Sequence, residues 1–106
     1  MELEVFWTEQ AERRLKSIYD YFLSEVNKPL ALKIVEGIVE KTIQLTKNPF
    51  IGQKESLLSQ RAQDFRYLIH GNYKIIYWVN EQKQRIEIAT VFDTRQNPTK
   101  LVKEIN

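Results

Sequence analysis

The sequence predicts an α+β fold in the order β-α-α-β-β-β, with a helical hairpin packed on one face of a mostly antiparallel sheet and a short helix after the last strand. Three observations predict it. Two apolar stripes with the four-three spacing of helices flank a short break at Asn27 and Lys28. From Phe65 onward the apolar period shortens to that of strands, in three runs rich in aromatic and β-branched residues. The breakers in "KNPFIGQ" divide the helical part from the strand part.

The first element is "LEVFW", where Leu3, Val5 and Trp7 alternate with Glu4 and Phe6, the pattern of a short strand with one face more buried. Thr8 is placed to cap the helix that follows, and Glu9 and Glu12 put negative charge in its first turn, where the helix dipole favours it. Ala11, Leu15, Ile18 and Phe22 form its apolar stripe. The helix should stop near Asn27, because the residue before Pro29 is pushed away from helical angles. Pro29 suits the start of the second helix, in which Ala31, Val35, Ile38, Thr42 and Leu45 repeat the spacing. Ile34, Val39 and Ile43 widen that stripe, so the second helix is expected to be the more buried.

Residues 65–69, 73–79 and 85–92, separated by "HGN" and "NEQKQ", read as a three-stranded antiparallel meander. "YKIIYWV" is almost continuously apolar, which predicts a central strand covered on both faces or nearly so. Asn97 and Pro98 are placed to start a short helix with Leu101, Val102 and Ile105 on one side. One helical hairpin covers one face of such a sheet, and the other is expected to be available to a partner.

Composition narrows the function. A chain of 106 residues fits one domain, residues 1–106. No run approaches the roughly 18 apolar residues of a membrane span, and "MELEVFWTEQ" opens with acids where a secretory signal carries positive charge, so the expected location is the cytoplasm. Zero cysteines exclude disulfides and thiolate nucleophiles. One histidine without neighbouring paired carboxylates argues against a metal site, and no cofactor is expected. The net charge of +2 is too small to mark a nucleic-acid binder, but its distribution is uneven: residues 54–106 carry nine Lys and Arg against six Asp and Glu.

His70 is the natural candidate for a general base, yet no serine or acid lies near it in sequence, and beside Gly71 it reads as an ordinary turn residue. Arg66, Lys74, Arg85 and Arg95 lie on or just beyond the strands, either to hold phosphates or as a solvated, aggregation-resistant face. Tyr67, Tyr73, Tyr77 and Trp78 are candidates for stacking on bases, against the commoner role of cross-strand packing. Tyr19 and Tyr21 read as packing at the rim of the first helix.

"WTEQAERRLKSIYDYF", "NPFIGQ" and "FRYLIHGNYKIIYWVNEQKQRIEIATVFDTRQNP" resemble, in order and spacing, toxins of the RelE/ParE superfamily of bacterial type II toxin–antitoxin systems. The residues that carry the resemblance are Arg66, Tyr73, Lys74, Tyr77 and Arg95. It implies a sheet curved against the helical hairpin, and an antitoxin that holds the toxin inactive in a hetero-oligomer, with Leu101, Val102 and Ile105 and the outer helix faces as contact surfaces. It also implies one of two targets. RelE-like members cut messenger RNA on the ribosome with basic sheet residues, here Arg66, Lys74 and Arg95, and often a Tyr or His near the C-terminus. ParE-like members act on DNA gyrase without catalysis of their own, and Arg66, Tyr73, Lys74 and Arg95 would then touch the target or its phosphates. Leu68, expected to face outward beside Arg66 where the nucleases tend to be basic, and the absence of Tyr or His after Arg95 place the chain nearer the ParE branch.

Overall fold

A computed structural model of the chain describes residues 2–105. The strands are β1 (Glu4–Trp7), β2 (Gln53–Lys54), β3 (Arg66–His70), β4 (Tyr73–Asn80) and β5 (Arg85–Asp93), and the helices α1 (Glu9–Glu25), α2 (Lys28–Ile43) and α3 (Thr99–Glu104). They form one sheet in the order β1-β5-β4-β3-β2. β1 runs parallel to β5 and every other pairing is antiparallel. The expected meander, hairpin and final helix are all present. The two-residue β2, laid beside β3, was not anticipated, because so short a segment carries no periodicity of its own.

The helix ends follow local chemistry. The Thr8 hydroxyl accepts from the Ala11 N–H at 3.2 Å and donates to the Ile88 carbonyl at 2.7 Å, so one side chain caps α1 and ties it to β5. Asn27 caps α2 by accepting from the Leu30 N–H at 2.9 Å, with Pro29 in the first turn. The second stripe runs on past Ile43 into a 3₁₀ turn at Gln44–Thr46, which still buries Leu45 before the breakers take effect.

One face of the sheet packs Leu68, Ile75, Tyr77, Ile86 and Ile88 against Ala11, Ile18, Ile38 and Leu45 of the hairpin layer. The opposite face was expected to be open, and it is not. Ile76 and Phe92 on that side are covered by Leu58 and Phe65 from the connection before β3, and by Leu101 and Ile105 at the C-terminal end. β4 is thus apolar on both sides and needs two covers. The second cover is pinned by polar contacts. Arg61 donates to the carbonyls of Val102, at 2.9 Å, and Ile105, while one Glu104 carboxylate oxygen accepts from Gln10, Arg14 and Thr90 at 3.0, 2.9 and 3.0 Å.

Between Ile76 and Tyr77 the register slips, so that Ile76 faces Thr90 and Tyr77 faces Ile88. Ala89 is the extra residue of a β-bulge, a device that bends a strand and sharpens its twist. Leu101 is fully buried, and its replacement by Ala should cost about 2–5 kcal/mol. The check is urea denaturation, with Val102→Ala, at an exposed position, expected to change stability by less than about 0.5 kcal/mol.

Candidate functional site

Sheet parity distributes the basic residues over separate places. Side chains of successive strand residues point to opposite faces, so Arg66, Leu68 and His70 share the helix-facing side of β3. Leu68 does not face outward as expected: it is buried in the core under the helices. Its apolar character is a packing requirement and carries no weight on RNA cleavage.

Arg66 sits at the edge of that side, where its guanidinium donates to the carbonyls of Phe50 and Gly52, at 3.1 and 3.0 Å, and pairs with Asp64 at 3.2 Å. Its cation also lies 5.3 Å from the centre of the Phe50 ring. These contacts hold the 50–52 loop against the sheet. The loop is locked a second time by the buried Tyr77, whose hydroxyl accepts from the Gly52 N–H at 2.9 Å. A Cβ at position 52 would come within 2.6 Å of that oxygen and 2.7 Å of the Tyr67 carbonyl, so only glycine fits. Burial is the main force pushing the Tyr77 phenol pKa up, and the Gly52 N–H partly opposes it.

Lys74 is on the other face of the sheet. Its ammonium pairs with Glu55 at 2.7 Å and stands 4.3 Å from the centre of the Tyr67 ring. Glu55 is itself buried and accepts from the Leu57 N–H, capping the Ser56–Leu58 turn that carries Leu58 into the second core. Arg85, similarly, pairs with Glu87 and lies 3.8 Å from the centre of the Phe6 ring.

His70 is the last residue of β3, paired with Tyr73 across the two-residue turn Gly71–Asn72. Gly71 there has φ 59°, the positive value that the first position of such a hairpin turn requires. The histidine is not a loose turn residue: its ring rests on α2, and a Cβ at Gly37 would lie 2.5 Å from Nε2.

Tyr73 and Arg95 do meet, at the end of the sheet beside α1, in a cleft of about 340 Å³. Asp93 accepts from Arg95 through both carboxylate oxygens, at 3.0 and 2.9 Å, and from the Arg95 backbone N–H at 2.9 Å. These bonds hold the Asp93 carboxyl below its usual range, led by the guanidinium, with partial burial opposing. Burial, then the Asp93 charge, push the Tyr73 phenol up, while the neighbouring Arg95 cation pulls the other way. Arg14 and Tyr21 of α1 and Glu104 of α3 line the same cleft. Sequence reading placed Tyr21 at a helix rim and did not single out Arg14, Asp93 or Glu104. The Asp-Thr-Arg spacing was the one local signal, since an Asp readily accepts from a backbone N–H two residues on.

Of the three C-terminal candidates, Leu101 and Ile105 are buried within the chain and Val102 is exposed. Among the described residues no helix is long and apolar enough to cross a membrane, and no cluster of three potential metal-ligating side chains occurs.

Residues 5–98 match the family described as ParE toxin of type II toxin-antitoxin system, parDE. The chain belongs to the ParE toxin family. No curated protein matches it. Among solved structures, a chain of the chromosomal ParDE toxin–antitoxin system of P. aeruginosa is similar with a TM-score of 0.71 at 23% identity, over 87% of this chain and 96% of that one. A chain of a RelBE toxin–antitoxin complex of Mycobacterium tuberculosis is similar with a TM-score of 0.62 at 18% identity, over 88% and 99%. At such identities the two structures establish a common fold, so the branch within the superfamily rests on the family match.

Two outcomes follow for this ParE-family chain. Lys74→Met strands the buried Glu55 carboxylate and should cost about 3–5 kcal/mol, and adding Glu55→Gln should recover part of it, read as a coupling in a double-mutant cycle of urea denaturation. Asp93 has a folded pKa below its unfolded value near ~3.9, so its contribution is complete above that value and is lost as pH falls through the folded one. Asp93→Asn should therefore flatten the acid limb of the stability curve while lowering stability at neutral pH.

Proposed function

We propose that this chain is the toxin of a type II toxin–antitoxin pair, that it inhibits DNA gyrase by binding and stabilising its cleaved-DNA state, and that a cognate cytoplasmic antitoxin neutralises it in a hetero-oligomer. Membership of the ParE family supports the toxin reading. The choice of a binding mechanism rests on one observation: Arg66, Lys74 and Arg95 occupy three separate places, each already paired with a carboxylate of the same chain. Cleavage of a message needs cations converging on one scissile phosphate together with a group to move protons. Here the lone histidine is packed on Gly37.

The antitoxin reading is supported by an apolar groove on the outside of the hairpin, where Trp7, Leu15, Tyr19, Val35 and Val39 meet. Such a surface fits one face of an amphipathic helix. Val102 adds an apolar side chain near the C-terminal end.

Purified wild-type protein should abolish gyrase supercoiling at saturation and accumulate cleaved DNA. Undiminished supercoiling, or codon-positioned cuts in translated messages, would sink the gyrase reading. Val39→Asp, in the groove, should weaken antitoxin affinity by about tenfold or more, since a charge would have to be desolvated there, and leave gyrase inhibition intact. A calorimetric titration of the variant with antitoxin reads the first effect.

A further inference from the structure

The cleft where β4 begins and β5 ends combines features that no other part of the described chain shares. Arg14 and Arg95 both line it, each held by a carboxylate that engages part of its guanidinium and leaves the rest unspent. Glu104 accepts from the Arg14 Nε–H at 2.9 Å, and neither terminal nitrogen of Arg14 has a partner among the described residues. Asp93 accepts from the Nε–H and Nη2–H of Arg95, and Nη1 has no partner among the described residues. A guanidinium has five donors in a planar fork, so a carboxylate on one edge fixes its orientation and leaves the other edge for a second oxyanion. Both arginines reach solvent, with side chains 40% and 58% exposed.

Two phenols complete the lining. Tyr73 has its hydroxyl beside Arg95, and its ring is buried in the floor. Tyr21 projects from α1 with 58% of its surface exposed, offering a flat face at the mouth. The volume of about 340 Å³ exceeds what a bare phosphate needs and falls in the range of small-ligand pockets. The four charged groups sum to zero, so the cleft has no strong long-range pull on anions and would rely on short-range fit.

We propose that this cleft binds a single nucleotide unit, its phosphate on the free edges of Arg14 and Arg95 and its base stacked on Tyr21. Asp93 and Glu104 are positioning residues, since they touch the arginines and not the ligand. The site is sequence-tolerant, because stacking and phosphate contacts read no base edge. It goes beyond the gyrase reading and stands on the geometry of the cleft alone.

The test titrates the full chain with inorganic phosphate, adenosine 5′-monophosphate and a five-nucleotide single-stranded DNA, followed by calorimetry. Wild type should bind the mononucleotide saturably and more tightly than inorganic phosphate. Arg14→Gln and Arg95→Gln should each weaken nucleotide and phosphate by about tenfold or more. Tyr21→Ala should weaken the mononucleotide by about tenfold and leave phosphate unchanged. Arg13→Gln, on the same helix but paired with Glu9 outside the cleft, should change neither. A strand that binds more tightly than the mononucleotide points to nucleic acid as the source, and the opposite order to free nucleotides; either supports the site. No saturable binding of any probe, or affinities unmoved by both Arg14→Gln and Arg95→Gln, overturns it. Nucleotide binding by a protein that leaves supercoiling intact overturns the gyrase reading alone, and gyrase inhibition by a protein that binds no nucleotide overturns this site alone.

Discussion

The constraint on which the structure depends is that β4 must be dry on both faces. Ile75 and Tyr77 on one side and Ile76 on the other are fully buried, in a strand that also supplies the longest hydrogen-bonded ladders of the sheet. A hairpin of two helices satisfies one side. The other needs apolar cover from elsewhere, and it comes from two separate segments, the 55–65 connection in the middle of the chain and the C-terminal helix. Neither piece is long enough to be stable by itself, since a short isolated helix is marginal in water. Each is therefore tied down by a charged contact: Lys74 to Glu55 for the first, and Arg61 and Glu104 for the second.

This use of charge explains why so basic a half-chain shows no convergent basic site on its sheet. The cations are spent on assembly. Arg66 holds the loop that carries Gly52, Lys74 neutralises a buried acid, and Arg85 lies on Phe6 of the parallel edge strand. A substitution at any of these positions would change stability before it changed chemistry, because it leaves the buried Glu55 or Glu87 unpaired, or frees the loop carbonyls of Phe50 and Gly52. Loss of toxicity in such a variant would carry little information about target contact unless folding were measured beside it.

The cleft beside α1 is different in kind. Its arginines are only partly engaged, and it opens beside the middle of α1, where β4 begins and β5 and α3 end. Glu104 links it to the cover of the second sheet face, since the oxygen that orients Arg14 also accepts from Thr90 and Gln10. Displacing α3 would therefore disturb the cleft and the second core together.

The sequence by itself determined the order of every element but β2, the Thr8 cap, the break between the helices at Asn27, the hairpin turn at Gly71 and the double-sided burial of β4, because each is written in local spacing that backbone geometry reads within a few residues. The superfamily was legible for the same reason, as motifs at fixed intervals along the chain. Tertiary structure decided what lay beyond that reach. Whether Leu68 faces inward depends on the register of β3 against β4, and the parity of β5 changes at the Ala89 bulge. That α3 turns back onto the sheet, and so buries Leu101 and Ile105 while leaving Val102 exposed, depends on apolar surface supplied by distant segments, Leu58 and Phe65 before β3, Ile76 of β4 and Phe92 of β5. Arg14, Tyr21, Asp93 and Glu104 share a cleft because the ends of β5 and α3 meet one side of α1, and no spacing in the sequence encodes that distance.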